Sequence, residues 1–73
     1  TLNHNPNAAL GHSQVGAALL KQQKDQEALV HLNEALRLRP ADTVSRNNRA
    51  VVRTRAGDLA GAIADYRALR AAK

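Results

Sequence analysis

Cysteine, methionine, tryptophan and phenylalanine are absent from this 73-residue chain, and Tyr66 is its one aromatic side chain. Without cysteine, neither disulfides nor thiolate metal sites can staple the fold, and the redox compartment stays open. With a single aromatic there is no series of platforms on which nucleic-acid bases could stack. Long hydrophobic runs are missing too. The longest uninterrupted apolar stretch is 17–20, far short of a membrane span. No signal-peptide pattern opens the chain, which starts at Thr1, leaving open a leader already removed. No compartment is assigned on these grounds, with the cytoplasm the default for a chain lacking such signals. A chain of this size buries only about 60% of its unfolded surface, so stability of a few kcal/mol is expected.

Catalytic constellations are equally scarce. His4, His12 and His31 lack metal-ligand spacing, and no close pair of carboxylates accompanies them. The glycines at 11, 16, 57 and 61 form no phosphate-cradling loop, and Ser13 and Ser45 lie in helical patterns without a nucleophile elbow. The chain is therefore expected to be no enzyme and to use no metal or other cofactor.

What the chain has is Ala, Leu and Arg, all good helix formers. It also has an uneven charge. The net charge is +5; residues 1–40 carry four basic and three acidic side chains, whereas residues 41–73 carry seven and three. A field concentrated in the second half favours an acidic partner.

The chain also repeats itself. Sliding it along its own length until Pro6 falls on Pro40 also brings Gly16 onto Ala50, Ala28 onto Ala62, Leu29 onto Ile63 and Leu32 onto Tyr66. The first copy reads His12-x2-Val15-Gly16-x2-Leu19, then Ala28-x3-Leu32, then Pro40. The second reads Arg46-x2-Arg49-Ala50-x2-Arg53, then Ala62-x3-Tyr66. Four helices are predicted, over about 7–22, 25–39, 42–56 and 59–72. Asp42 or Thr43 would cap the third and Asp58 the fourth, with Gly57 supplying a left-handed turn residue. Gln23 stands in the matching slot of the first copy, so that turn is expected to be strained or differently shaped. Gly16, Ala28, Ala50 and Ala62 would let paired helices approach closely, while Leu19, Leu32, Leu36, Ile63, Tyr66 and Leu69 would fill the seams. Pro40 would end the second helix.

A period of this length built from two helices resembles the tetratricopeptide repeat. The resemblance covers nearly the whole chain. It implies an all-α fold of antiparallel helix–turn–helix units stacked as a short right-handed solenoid. Residues 7–42 would form the first repeat and 43–73 the second, with 1–6 the tail of a preceding one, so that the chain would be an excerpt of a longer array. His12 stands where the family often places tryptophan, and a packing role is expected for it.

By the same resemblance, the first helix of each unit lines a concave groove that takes a peptide or helix of another protein. Leu10, Ser13, Gln14, Ala17 and Lys21 would face it from the first copy, and Val44, Asn47, Asn48, Val51 and Arg55 from the second. Gln14, Lys21, Asn47, Asn48, Val51 and Arg55 are the candidate peptide-binding residues. The amides can hold a peptide backbone as both donor and acceptor, and Lys21 and Arg55 can pair with carboxylates. One branch of the family clamps a C-terminal carboxylate in this way. Asn48 matches its asparagine, but Ser13 and Ala17 stand where the clamp carries Lys and Asn, which argues against that mode.

Arg46, Arg49 and Arg53 share one helix face, at i, i+3 and i+7. One reading is an anion-binding strip. The other is internal pairing, with Arg49 forking onto Asp65 of the neighbouring antiparallel helix. The leading functional expectation is thus a protein-interaction scaffold. Its alternatives are anion or nucleic-acid binding through the second half, recruitment within a larger enzyme, and self-association through open repeat ends.

Overall fold

In a computed structural model, residues 8–71 are described and are all-α. Four helices run in order: α1 (Ala8–Lys21), α2 (Asp25–Leu38), α3 (Thr43–Arg55) and α4 (Leu59–Ala71). The expected start at 7 and end at 72, and the expected repeat tail at 1–6, lie outside the described residues. None of the four helices is long and apolar enough to cross a membrane.

Helices α1, α2 and α3 end where their chemistry requires. After α1, Lys24 N–H donates to Leu19 O at 2.9 Å and Gln23 N–H to Leu20 O at 3.0 Å, a Schellman closure with Gln23 at φ 62°. After α3, Asp58 N–H donates to Arg53 O at 2.8 Å and Gly57 N–H to Thr54 O at 3.1 Å, with Gly57 at φ 83°. The second turn therefore repeats the first, bond for bond, one repeat period further along the chain. Gln23 takes the shape made for glycine and bears its strain. This decides the question the sequence left open: the turn keeps its shape. Leu38 ends α2 one residue before expected, because Arg39 precedes a proline and is extended at φ −138°, ψ 87°. Pro40 and Ala41 then turn the chain, closed by Asp42 N–H to Arg39 O at 3.0 Å.

The N-termini confirm both expected caps. Asp42 Oδ1 accepts from Val44 N–H at 3.1 Å and Ser45 N–H at 3.3 Å, while its Oδ2 accepts from the Ser45 hydroxyl at 2.8 Å. Asp58 Oδ1 accepts from Gly61 N–H at 3.0 Å. Lys24 gives α2 no side-chain cap, and Asp25 and Glu27 in its first turn offset the helix dipole instead.

Short turns make α1 with α2, and α3 with α4, antiparallel hairpins. Helix α3 also packs on both α2 and α1, whereas α4 packs on α3 alone. The core consequently sits off-centre, where Ala28, Leu32 and Val52 meet under Leu19, Leu20 and Leu29. All four small residues picked out for close approach are buried. At Gly16 the approach is so close that a Cβ would lie 2.8 Å from Leu32 Cδ2.

Two expected seam-fillers prove otherwise. Ile63 is 52% exposed and Tyr66 41% exposed; Leu69 is half-buried, while Leu32 and Leu36 are buried as expected. The reason is that Leu32 and Leu29 lie under α3, and no helix among the described residues lies over the corresponding face of α4.

Candidate protein-interaction surface

Helix α3 packs on α1, which sets the first helices of the two hairpins side by side. Leu10, Gln14 and Lys21 of α1 and Val44, Asn47 and Arg55 of α3 are exposed there, with Ala17, Asn48 and Val51 half-buried. Leu10 and Val44 are the large apolar side chains on this surface, 50% and 59% exposed. Ser13 differs from the expectation. It is buried, because the side of α1 that carries Ala9, Ser13 and Gly16 is covered by its neighbours.

Arg55 is not a free cation. Its Nε and Nη2 fork onto Asp25 at 2.9 and 2.7 Å, and Nη2 also donates to Leu20 O at 3.3 Å. The hydrogen bond to Asp25 raises the Arg55 pKa. This pair ties the end of α3 to the start of α2 across the joint between hairpins. It leaves Lys21 as the unpaired cation of the six candidate residues among the described ion pairs.

The arginine stripe of α3 is committed to internal pairing, more fully than expected. Arg49 Nε and Nη2 fork onto Asp65 at 3.0 and 2.7 Å, and its Nη1 donates to Asn33 at 2.9 Å. Arg53 Nη1 adds a bond to Asp65 at 3.0 Å and another to Gly61 O at 3.3 Å. Arg46 donates to Pro40 O at 2.8 Å and approaches Asp65 at 3.7 Å. One carboxylate, 2% exposed, thus holds three guanidinium groups. Burial raises the Asp65 pKa, but the hydrogen bonds and charge of Arg49, with the charges of Arg53 and Arg46, outweigh it and hold the carboxyl below its ordinary value.

The first hairpin answers this cluster with a pair that sequence reasoning missed. His12 Nδ1 and His31 Nδ1 lie 3.1 Å apart, so one ring donates and the other accepts. Their positions are those of Arg46 and Asp65 under the repeat shift. The shift therefore held the signal: whatever pairs across one seam should pair across the other. On the outer side of α2, Arg37 forks onto Glu34, which lowers the Glu34 pKa. No cluster of three or more potential metal ligands occurs among the described residues.

Comparison with protein-family models, with curated proteins and with solved structures gives no match to this chain.

Proposed function

We propose that this chain is a protein-interaction module of the tetratricopeptide type, two helix hairpins of a right-handed solenoid that present the α1/α3 surface to a peptide or helix of another protein. The observation that carries this reading is the recurrence of one turn geometry at the interval of the sequence repeat, with small buried residues at matching places and α3 packed on both helices of the first hairpin. A stack built in this way holds a broad face of first helices in place without using core residues for it. That face combines exposed Leu10 and Val44 with amides at Gln14, Asn47 and Asn48, a mixture suited to a backbone bearing apolar side chains.

A nucleic-acid partner finds less support. Arg46, Arg49, Arg53 and Arg55 all make hydrogen bonds inside the chain, and the one aromatic, Tyr66, cannot form a stacking series. Arg55, engaged by Asp25, serves better to fix α3 than to seize a carboxylate, so the partner's acidic groups would meet Lys21 first.

Photo-crosslinking from the protein surface tests the reading. A photoreactive amino acid at Val44 should capture partner protein from a lysate, and the same group at Val30, exposed on the outer side of α2, should not. Capture from Val30 alone would remove the α1/α3 surface from consideration. Asn48→Ala should weaken capture from Val44.

A further inference from the structure

The first and last of the described helices, α1 and α4, each carry an exposed face whose counterpart is covered in the joint between the hairpins. Within the chain, α3 docks on the first hairpin through Val52, which meets Leu32 of α2 in the core, and through the Arg55–Asp25 pair. Moving one repeat period back along the chain from Val52 leads to Ala18, on α1, which is exposed. Moving one period forward from Leu32 leads to Tyr66, on α4, also exposed. Among the described residues, each half of the internal joint therefore has an uncovered counterpart on the other hairpin.

We infer that a second copy of this chain docks head to tail, its α1 lying on the α4 of the first copy as α3 lies on α2. The sizes compensate. The counterpart faces set small Gly11, Val15 and Ala18 on α1 against bulky Leu59, Ile63 and Tyr66 on α4. Val52 on Leu32 becomes Ala18 on Tyr66, a smaller group meeting a larger one. The charges permit it as well. The Arg55–Asp25 pair becomes Lys21 over Leu59, where the lysine stem covers apolar surface and the ammonium stays in water. Lys21 is the one Lys, Arg, Asp or Glu of α1, and Arg67 of α4, which takes the place of Asn33, would lie opposite Val15 with its stem on apolar surface and its guanidinium at the rim. The contact uses different surfaces on the two partners, so it does not close on itself and extends into a chain of copies.

This inference rests on the repeat reading of the two hairpins, not on the α1/α3 surface as a peptide site. Two exposed positions test it: Ile63→Lys blocks the α4 face and Ala18→Lys blocks the α1 face. The unaltered chain should show a light-scattering mass that rises with concentration, and each variant alone should stay a monomer with an unchanged helical circular-dichroism spectrum. Mixed in equal amounts, the two variants should give a 1:1 dimer and nothing larger, since each supplies the face the other has lost. The inference fails if the unaltered chain is monomeric throughout, or if Ala18→Lys still self-associates while Ile63→Lys does not, the mark of a symmetric α4–α4 contact. A monomeric chain that still captures partner from Val44 would overturn the inference alone and leave the proposed function standing.

Discussion

The two hairpins share one backbone plan and seal it with opposite chemistry. Between α1 and α2 the seam holds His12 against His31, with Val15 and Leu19 at the places that α3 gives to arginine. Between α3 and α4 it holds Asp65 beneath Arg46, Arg49 and Arg53. The first hairpin is also covered by α3, while the second has no such cover among the described residues. A seam backed by a neighbouring helix can rely on apolar burial. A seam at the open end has less apolar area to bury, and a directional ion cluster orients α4 where packing does less. Such a cluster is fragile in a particular way: intact, it contributes little net energy, but losing its shared partner strands several cations.

The largest test of this contrast is Asp65→Ala. It should destabilise by about 3 kcal/mol, the cost of removing one partner from a buried ion cluster, since the three half-buried arginines lose their shared anion, and in a domain this small that approaches complete unfolding. His31→Ala, the same place in the first hairpin, should cost about 1 kcal/mol, near the value of one lost hydrogen bond. Urea denaturation followed by circular dichroism measures both; equal costs would erase the distinction between the seams.

The pH dependence separates them further. Asp65 has a folded pKa below its unfolded one, so its contribution is present above about pH 4, the ordinary aspartate value, and is lost as pH falls through the folded pKa. Stability should drop with acidification in the unaltered chain, and the drop should be shallower in Asp65→Asn. Glu34 acts in the same direction in both proteins and cancels from the difference.

Gly16→Ala gains about 1 kcal/mol of helix propensity but drives a methyl group into Leu32, which is fully buried and cannot swing away. Overpacking of this kind costs about 1–3 kcal/mol, so net destabilisation is expected. The equivalent site already carries Ala50, so the two hairpins do not approach equally closely at this point. A more stable Gly16→Ala protein would show that Leu32 yields.

Smaller effects of opposite sign are expected at the two turns. Gln23→Gly relieves a left-handed side-chain residue and should stabilise by roughly 0.5–1 kcal/mol, whereas Gly57→Ala should destabilise by about 1 kcal/mol. Thermal melts of the pair read the sign directly. Both changes lowering stability would mean that the turns only look alike. The least effect belongs to Arg55→Gln: the pair orients α3 on α2, but its exposed, solvent-screened partners should make its loss shift the melting curve less than any of the changes above.

Much of this was legible in the sequence. Gly57 after a basic helical stretch, Asp42 and Asp58 before apolar-periodic ones, and Pro40 after another marked the ends of elements through chemistry local to a few residues. The Arg49–Asp65 pair was legible too, because antiparallel helices joined by a short turn bring those positions together. The His12–His31 pair was less legible, because two like imidazoles carry no charge complementarity to mark them as partners. Gathering Arg46 and Arg53 around the same carboxylate depends on side-chain reach rather than spacing, and so was not decided by position. Arg55 looked like a groove cation because Asp25 is 30 residues away in sequence. Ile63 and Tyr66 looked like core because apolar residues at helical spacing do not say which neighbour will cover them.

The sequence by itself determined the four helices, the two turns and the places where helices could come close, since capping, backbone strain and side-chain size act over a few residues. The tertiary structure alone decided which faces are covered, which arginines are engaged and where the core sits. Those depend on what a second or third element brings from far along the chain. The unevenness follows from that difference: the same turn is built twice, and among the described residues only one of the two hairpins has a third helix laid across it.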